Sequence, residues 1–106
     1  MNKKAGNKIQ MMLNSLRTQN LLRVYLFGSF ARGEEDEFSD LDVVVIMHTQ
    51  EPFLERALSI CKYFPPELGS VDILVYTPDE WEKMQKDGNV LAETVLEEGR
   101  IIYEQA

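Results

Sequence analysis

Three acidic residues stand where solubility alone would not ask for them. Asp40 and Asp42 open the apolar run Leu41-Asp42-Val43-Val44-Val45-Ile46-Met47, and Asp72 sits inside Val71-Asp72-Ile73-Leu74-Val75. A carboxylate in an apolar strand is expensive unless it is paired, hydrogen-bonded or bound to a cation. Side chains two apart on a strand share a face with Cα atoms roughly 6–7 Å apart. Asp40 and Asp42 would therefore repel each other unless positive charge lay between them. Magnesium supplies such charge, prefers carboxylate oxygens and keeps positions open for phosphates. If the Asp72 strand lies beside the Asp42 strand, three carboxylates could hold two ions about 3.5–4 Å apart, as two-metal phosphoryl chemistry requires. The plainer alternatives are a Ser39-Asp40 turn cap with Asp42 facing water, and an Asp72 that faces water from an edge strand.

Gly28-Ser29 ends the apolar run Leu21 to Phe27. Glycine lets the backbone turn sharply and approach a ligand closely. A helical turn after it would aim free N–H groups at an anion, and the Ser29 hydroxyl could add a donor. Arg32, one turn on, either adds positive charge there or faces solvent.

The elements that must position these groups follow from periodicity. Ile9, Met12, Leu13 and Leu16 recur at helical spacing, which predicts an amphipathic helix from about Lys3 to Gln19. Leu21 to Phe27, Leu41 to Met47 and Val71 to Tyr76 read as strands, with the second apolar on both faces and hence central. Pro52 suits the first turn of a helix whose inner face would take Phe53, Ala57 and Ile60 with Leu54, Leu58 and Cys61, and Pro65-Pro66 ends it. Thr77, Pro78 and Glu80 form a capping box. Asp87-Gly88-Asn89 breaks that helix, another runs to about Glu98 with Gly99 as its cap, and Arg100 to Tyr103 could be a last strand. Helices and strands alternating around one sheet give an α/β sandwich.

Composition narrows the partners. The chain has 106 residues, which suits a single domain, and a formal net charge of −7. Acidic runs at Glu34-Glu35-Asp36-Glu37 and Glu97-Glu98 suit solvated faces and speak against nonspecific nucleic-acid binding. No uncharged stretch is long enough to cross a membrane. The basic start lacks a secretory apolar segment, and the lone Cys61 fits a reducing, cytoplasmic compartment. His48, the only histidine, reads as a loop residue, and Tyr76 or Phe30 could stack on a base.

Gly28-Ser29, ten residues, then Asp40-Leu41-Asp42 resembles the signature of the DNA polymerase β-like nucleotidyltransferase superfamily. The longer string Gly28-Ser29-Phe30-Ala31-Arg32-Gly33, with Ser39-Asp40-Leu41-Asp42, is similar to its minimal nucleotidyltransferase branch, and Asp72 stands where that family keeps a third carboxylate. The resemblance spans nearly the whole chain and implies one domain, residues 1–106, with a small mixed sheet and flanking helices. It implies transfer of AMP from ATP, or a nucleotide from another triphosphate, to a hydroxyl with release of pyrophosphate. Gly28, Ser29 and Arg32 would bind the nucleotide, and Asp40, Asp42 and Asp72 would be both catalytic and ligands of two Mg2+ ions. Minimal members resemble antitoxins that adenylylate a tyrosine of a HEPN-type ribonuclease toxin, so the resemblance implies a partner protein that supplies the acceptor, with an oligomer left open. Two other readings stand beside it: nucleotidylation of a small molecule such as an aminoglycoside, and a non-enzymatic, nucleotide-sensing antitoxin that covers its partner.

Overall fold

A computed structural model describes residues 3–17, 19–35 and 40–105 of the chain. Strands β1 (Leu21–Phe27), β2 (Leu41–Met47), β3 (Val71–Tyr76) and β4 (Arg100–Glu104) form one sheet in the order β3-β2-β1-β4. β1 runs antiparallel to β2 and β4, whereas β2 and β3 are parallel. A parallel pair needs a crossover, here helix α3 (Phe53–Cys61) followed by a 3-10 turn at Pro66–Leu68. The sheet is mixed, as expected.

Alternation along the strands builds two apolar layers. Val24, Leu26, Val43, Val45, Ile73 and Val75 pack on one face against Ile9, Met12, Leu16 and Ile60. Tyr25, Val44 and Ile46 pack on the other against Trp81, Ala92 and Val95. Val43, Val44 and Val45 are fully buried, so β2 is covered on both faces, which its unbroken apolar run requires.

Helix α1 (Lys3–Ser15) stops short of Gln19. Beyond Ser15 the bonds tighten to Arg17 N–H donating to Asn14 O and Gln19 N–H to Leu16 O, the three-residue pattern that closes a helix end. Helix α2 (Gly28–Arg32) follows β1 directly. Helix α4 (Pro78–Lys86) carries the expected capping box, with Glu80 N–H donating to Thr77 Oγ1 and Thr77 N–H to Glu80 Oε1. Helix α5 (Val90–Glu98) is capped by Asn89. Gly99 does end α5, but with φ −77° rather than the left-handed turn usual for a glycine cap. Its missing side chain matters for space: a Cβ would overlap Val95 O and lie 3.1 Å from Leu26 O.

Helix α3 corrects one expectation. Phe53, Leu54 and Leu58 are 39%, 83% and 74% exposed, and the helix buries Arg56 beside the expected Ile60, with Ala57 and Cys61 half-buried. The guanidinium sets this rotation. Its Nε donates to Glu51 O, its Nη1 to Val75 O, and its two Nη atoms bracket the Glu80 carboxylate at 2.7 and 3.2 Å. A buried charge must find such partners, and those on offer turn the neighbouring leucines outward.

The hydrogen bonds from Arg56 are the main reason the Glu80 carboxyl is held below its usual range; burial opposes them. A depressed acid stabilises the fold above its unfolded pKa of about 4.3 and loses that contribution as pH falls through the lower folded value. Arg56→Met should therefore lower the melting temperature at pH 7 and flatten its decline below about pH 4.3. Thermal unfolding from neutral to acidic pH, followed by circular dichroism, checks both effects.

Candidate active site

The parallel register of β2 and β3 sets Asp42 directly beside Asp72. The antiparallel register of β1 and β2 sets Asp42 opposite Phe27, so the turn at Gly28 arrives next to it. Gly28 has φ +73°, and a Cβ there would overlap Asp42 Oδ2 and stand 3.1 Å from its Cγ. Only glycine lets the backbone pass this close in that conformation.

Asp42 is half-buried, while Asp40 and Asp72 are exposed. Burial pushes the Asp42 carboxyl up. A hydrogen bond with Asp72 and the negative charges of Asp72 and Asp40 push it further, against a smaller pull from Arg32. The negative charges of Asp72 and Asp40 therefore act on Asp42, whose ionisation burial already disfavours. Asp40 precedes the strand rather than belonging to it. Ser39, Asp36 and Glu37 lie outside the described residues. Among the described residues, no three acidic, histidine or cysteine side chains close into a ready-made metal cage.

Ser29 and Arg32 occupy α2, whose N-terminus receives no side-chain hydrogen bond at its N-cap, Phe27. Its first backbone N–H groups therefore have no partner within the helix. Arg32 is exposed, its Nε 3.3 Å from Glu34 Oε1, and close enough to Asp42 to act on its charge. Gly33 closes the helix with φ 71°. Phe30 is buried in the core, which removes it as a base-stacking platform. Tyr76 is engaged at the far end of β3, its ring 5.3 Å from that of Phe53 and 5.8 Å from that of Trp81. His48 lies in the loop after β2, exposed. Among the described residues, Arg56 is a buried and fully engaged polar group that the sequence did not single out.

The mixed sheet thus sets two acidic side chains side by side, one of them against a glycine turn. Residues 7–106 match the family described as polymerase beta, nucleotidyltransferase, and the chain belongs to that family. Two proteins of Methanocaldococcus jannaschii, both assigned as protein adenylyltransferases, are similar to it. The first is 36% identical over 63 residues, spanning 59% of this chain and 63% of the relative. The second is 26% identical over 98 residues, spanning 90% of this chain and 94% of the relative. Among solved structures, a nucleotidyltransferase from Sulfolobus solfataricus superposes with TM-score 0.58 at 22% identity, covering 99% of this chain and 91% of its own. A toxin–antitoxin structure with AMP-PNP gives 0.60 at 23% identity over 93% of this chain and 73% of its own. A Shewanella oneidensis MNT antitoxin structure with a tri-AMPylated HEPN toxin gives 0.55 at 21% identity, over 99% and 74%. At these identities the structures speak for the fold.

Proposed function

We propose that this chain transfers AMP from ATP to a tyrosine hydroxyl of a partner HEPN-type toxin, acting as its antitoxin in the cytoplasm. The observation that carries the reading is the in-register Asp42–Asp72 pair beside the left-handed Gly28 turn. The adenylyltransferase assignment of the two archaeal relatives and the AMPylated toxin beside an MNT antitoxin in a structural neighbour support the acceptor class.

The residues suit magnesium. Asp42 and Asp72 lie within hydrogen-bonding reach of each other with Asp40 adding negative charge, so a cation would relieve a repulsion that burial aggravates. An open acidic pair, completed by phosphate oxygens, is how magnesium is usually held. Asp40, Asp42 and Asp72 would hold two ions, which when bound neutralise the triphosphate and assist the attacking hydroxyl. Gly28 brings the backbone up to the phosphates, Ser29 donates to a phosphate oxygen and Arg32 exchanges Glu34 for the triphosphate. Asp72, exposed on β3, would face the incoming acceptor hydroxyl and help take its proton.

ATP labelled at the α-phosphate, supplied with Mg2+ and the purified chain, with and without the product of the neighbouring gene, tests the reading. Label on a partner tyrosine supports it. Label on an aminoglycoside instead redirects it to small-molecule modification, and ATP binding without transfer reduces it to nucleotide sensing. Ser29→Ala removes one hydrogen bond to a charged group, worth about 1.5–3 kcal/mol. Turnover of ATP should fall about ten- to a hundredfold with partner binding unchanged, as steady-state kinetics and a pull-down would record.

A further inference from the structure

Two close backbone approaches bracket the end of β1. On one side Gly28 passes against Asp42 of β2, where a Cβ would overlap Asp42 Oδ2. On the other, Gly99 joins α5 to β4, and a Cβ there would overlap Val95 O and stand 3.1 Å from Leu26 O. Gly99 has φ −77° and ψ 166°, an extended backbone open to any residue, so space and not conformation excludes a side chain. Its N–H donates to Val95 O at 2.8 Å, which closes the last turn of α5. Leu26 carries the second approach toward the active site. It is fully buried and pairs with Val43 of β2 on one side and Arg100 of β4 on the other. The next residue, Phe27, pairs with Asp42, and Gly28 follows. Helix α5 lies against β1 before the Gly28 turn and against α2 after it. Close-packed interiors transmit a displacement rather than absorb it.

We infer that Gly99 is a positioning residue of the active site. Without a side chain it lets the end of α5 close onto the Leu26 carbonyl, and that contact fixes where β1 ends and where the Gly28 turn offers its backbone N–H groups. The inference rests on the phosphate-holding role proposed for that turn. A methyl at position 99 cannot be accommodated by a flexible neighbour, because both atoms it meets are backbone carbonyl oxygens. Either α5 backs away from β1 and α2, or the end of β1 yields. Both movements loosen the support of Gly28 and Ser29. Asp42 and Asp72, on β2 and β3, keep their register. The loss should therefore fall on the grip on the triphosphate more than on the chemical step.

Amide NMR of Gly99→Ala, beside titration with Mg2+ and AMP-PNP, tests it. Without nucleotide, the Gly28 and Ser29 amide resonances should shift in the variant while those of β3 hold. The dissociation constant for AMP-PNP should rise about tenfold. Ile60→Ala is the control: it opens a cavity in the layer packed on the opposite face of the sheet from Val95 and should lower the melting temperature with both readouts as in the wild type. In the wild type, saturation with Mg2+ and AMP-PNP should shift the Gly99 and Val95 amides as well as those of Gly28 and Ser29, since coupling runs both ways. This arm decides the matter even where Gly99→Ala does not fold. Unmoved Gly28 and Ser29 amides in the variant, an equal loss of affinity in Ile60→Ala, or nucleotide binding that leaves Gly99 and Val95 unmoved would each overturn the inference. A wild type that binds no AMP-PNP would instead remove the nucleotide reading, and the amides of the ligand-free variant would still decide whether Gly99 holds the turn.

Discussion

Asp42→Asn should reduce nucleotide transfer by about a thousandfold or more, because a lost ligand removes several kcal/mol of charge stabilisation from the reacting phosphate. The same substitution should not harm the fold. Burial, then Asp72 and Asp40, raise the Asp42 carboxyl in the folded chain. An acid with a raised folded pKa binds protons more readily folded than unfolded, so its ionisation costs stability as pH rises above the unfolded value near 3.9. In metal-free buffer at pH 7 the asparagine variant should melt at or above the wild-type temperature, and the gap should close as pH falls toward about 4. Added Mg2+ should then raise the wild-type melting temperature more than that of the variant. Calorimetry at two pH values with and without the ion, beside a transfer assay, separates the outcomes. A variant that melts well below wild type without metal would make Asp42 a structural residue.

Gly28→Ala should be nearly as damaging for a different reason. The position has φ +73°, and the new methyl would overlap Asp42 Oδ2. Left-handed backbone costs a non-glycine residue roughly 1–2 kcal/mol. The carboxylate must also move, and a displacement of about 1 Å at a reacting centre can cost a hundredfold. Unlike Asp42→Asn, this variant should lose both stability and activity, with melting temperature and transfer rate falling together. Gly33→Ala provides the contrast. Gly33 is also left-handed, but a Cβ there would meet nothing within 4 Å. It should share the backbone cost and retain most of the turnover.

Much of this was legible in the linear chain. The strand limits at Leu21–Phe27, Leu41–Met47 and Val71–Tyr76 follow from compact apolar runs bounded by turn residues. The Thr77–Glu80 capping box follows from side-chain chemistry acting over three residues. The Gly-Ser and Asp-x-Asp spacing already pointed to the family that residues 7–106 match. Each of these signals is local, or is a spacing that survives without knowledge of contacts.

What failed was nonlocal. Leu54 and Leu58 fit an inward stripe by helical period, yet Arg56 takes that face because Val75 O, Glu51 O and Glu80 lie where its guanidinium can reach them. Phe30 looked available to a base until the packing of α2 placed it in the core.

By itself the sequence determined which segments are strands and helices, which residues could do chemistry, and the family they belong to, because periodicity, capping and motif spacing are written along one dimension. Only the tertiary structure decided that β2 and β3 are parallel in the register that pairs Asp42 with Asp72, that the Gly28 turn comes up against Asp42, and that Arg56 reaches the Val75 carbonyl of β3. Register and strand order depend on how distant apolar faces pack and where a buried guanidinium finds its acceptors, and no run of neighbouring residues carries that information.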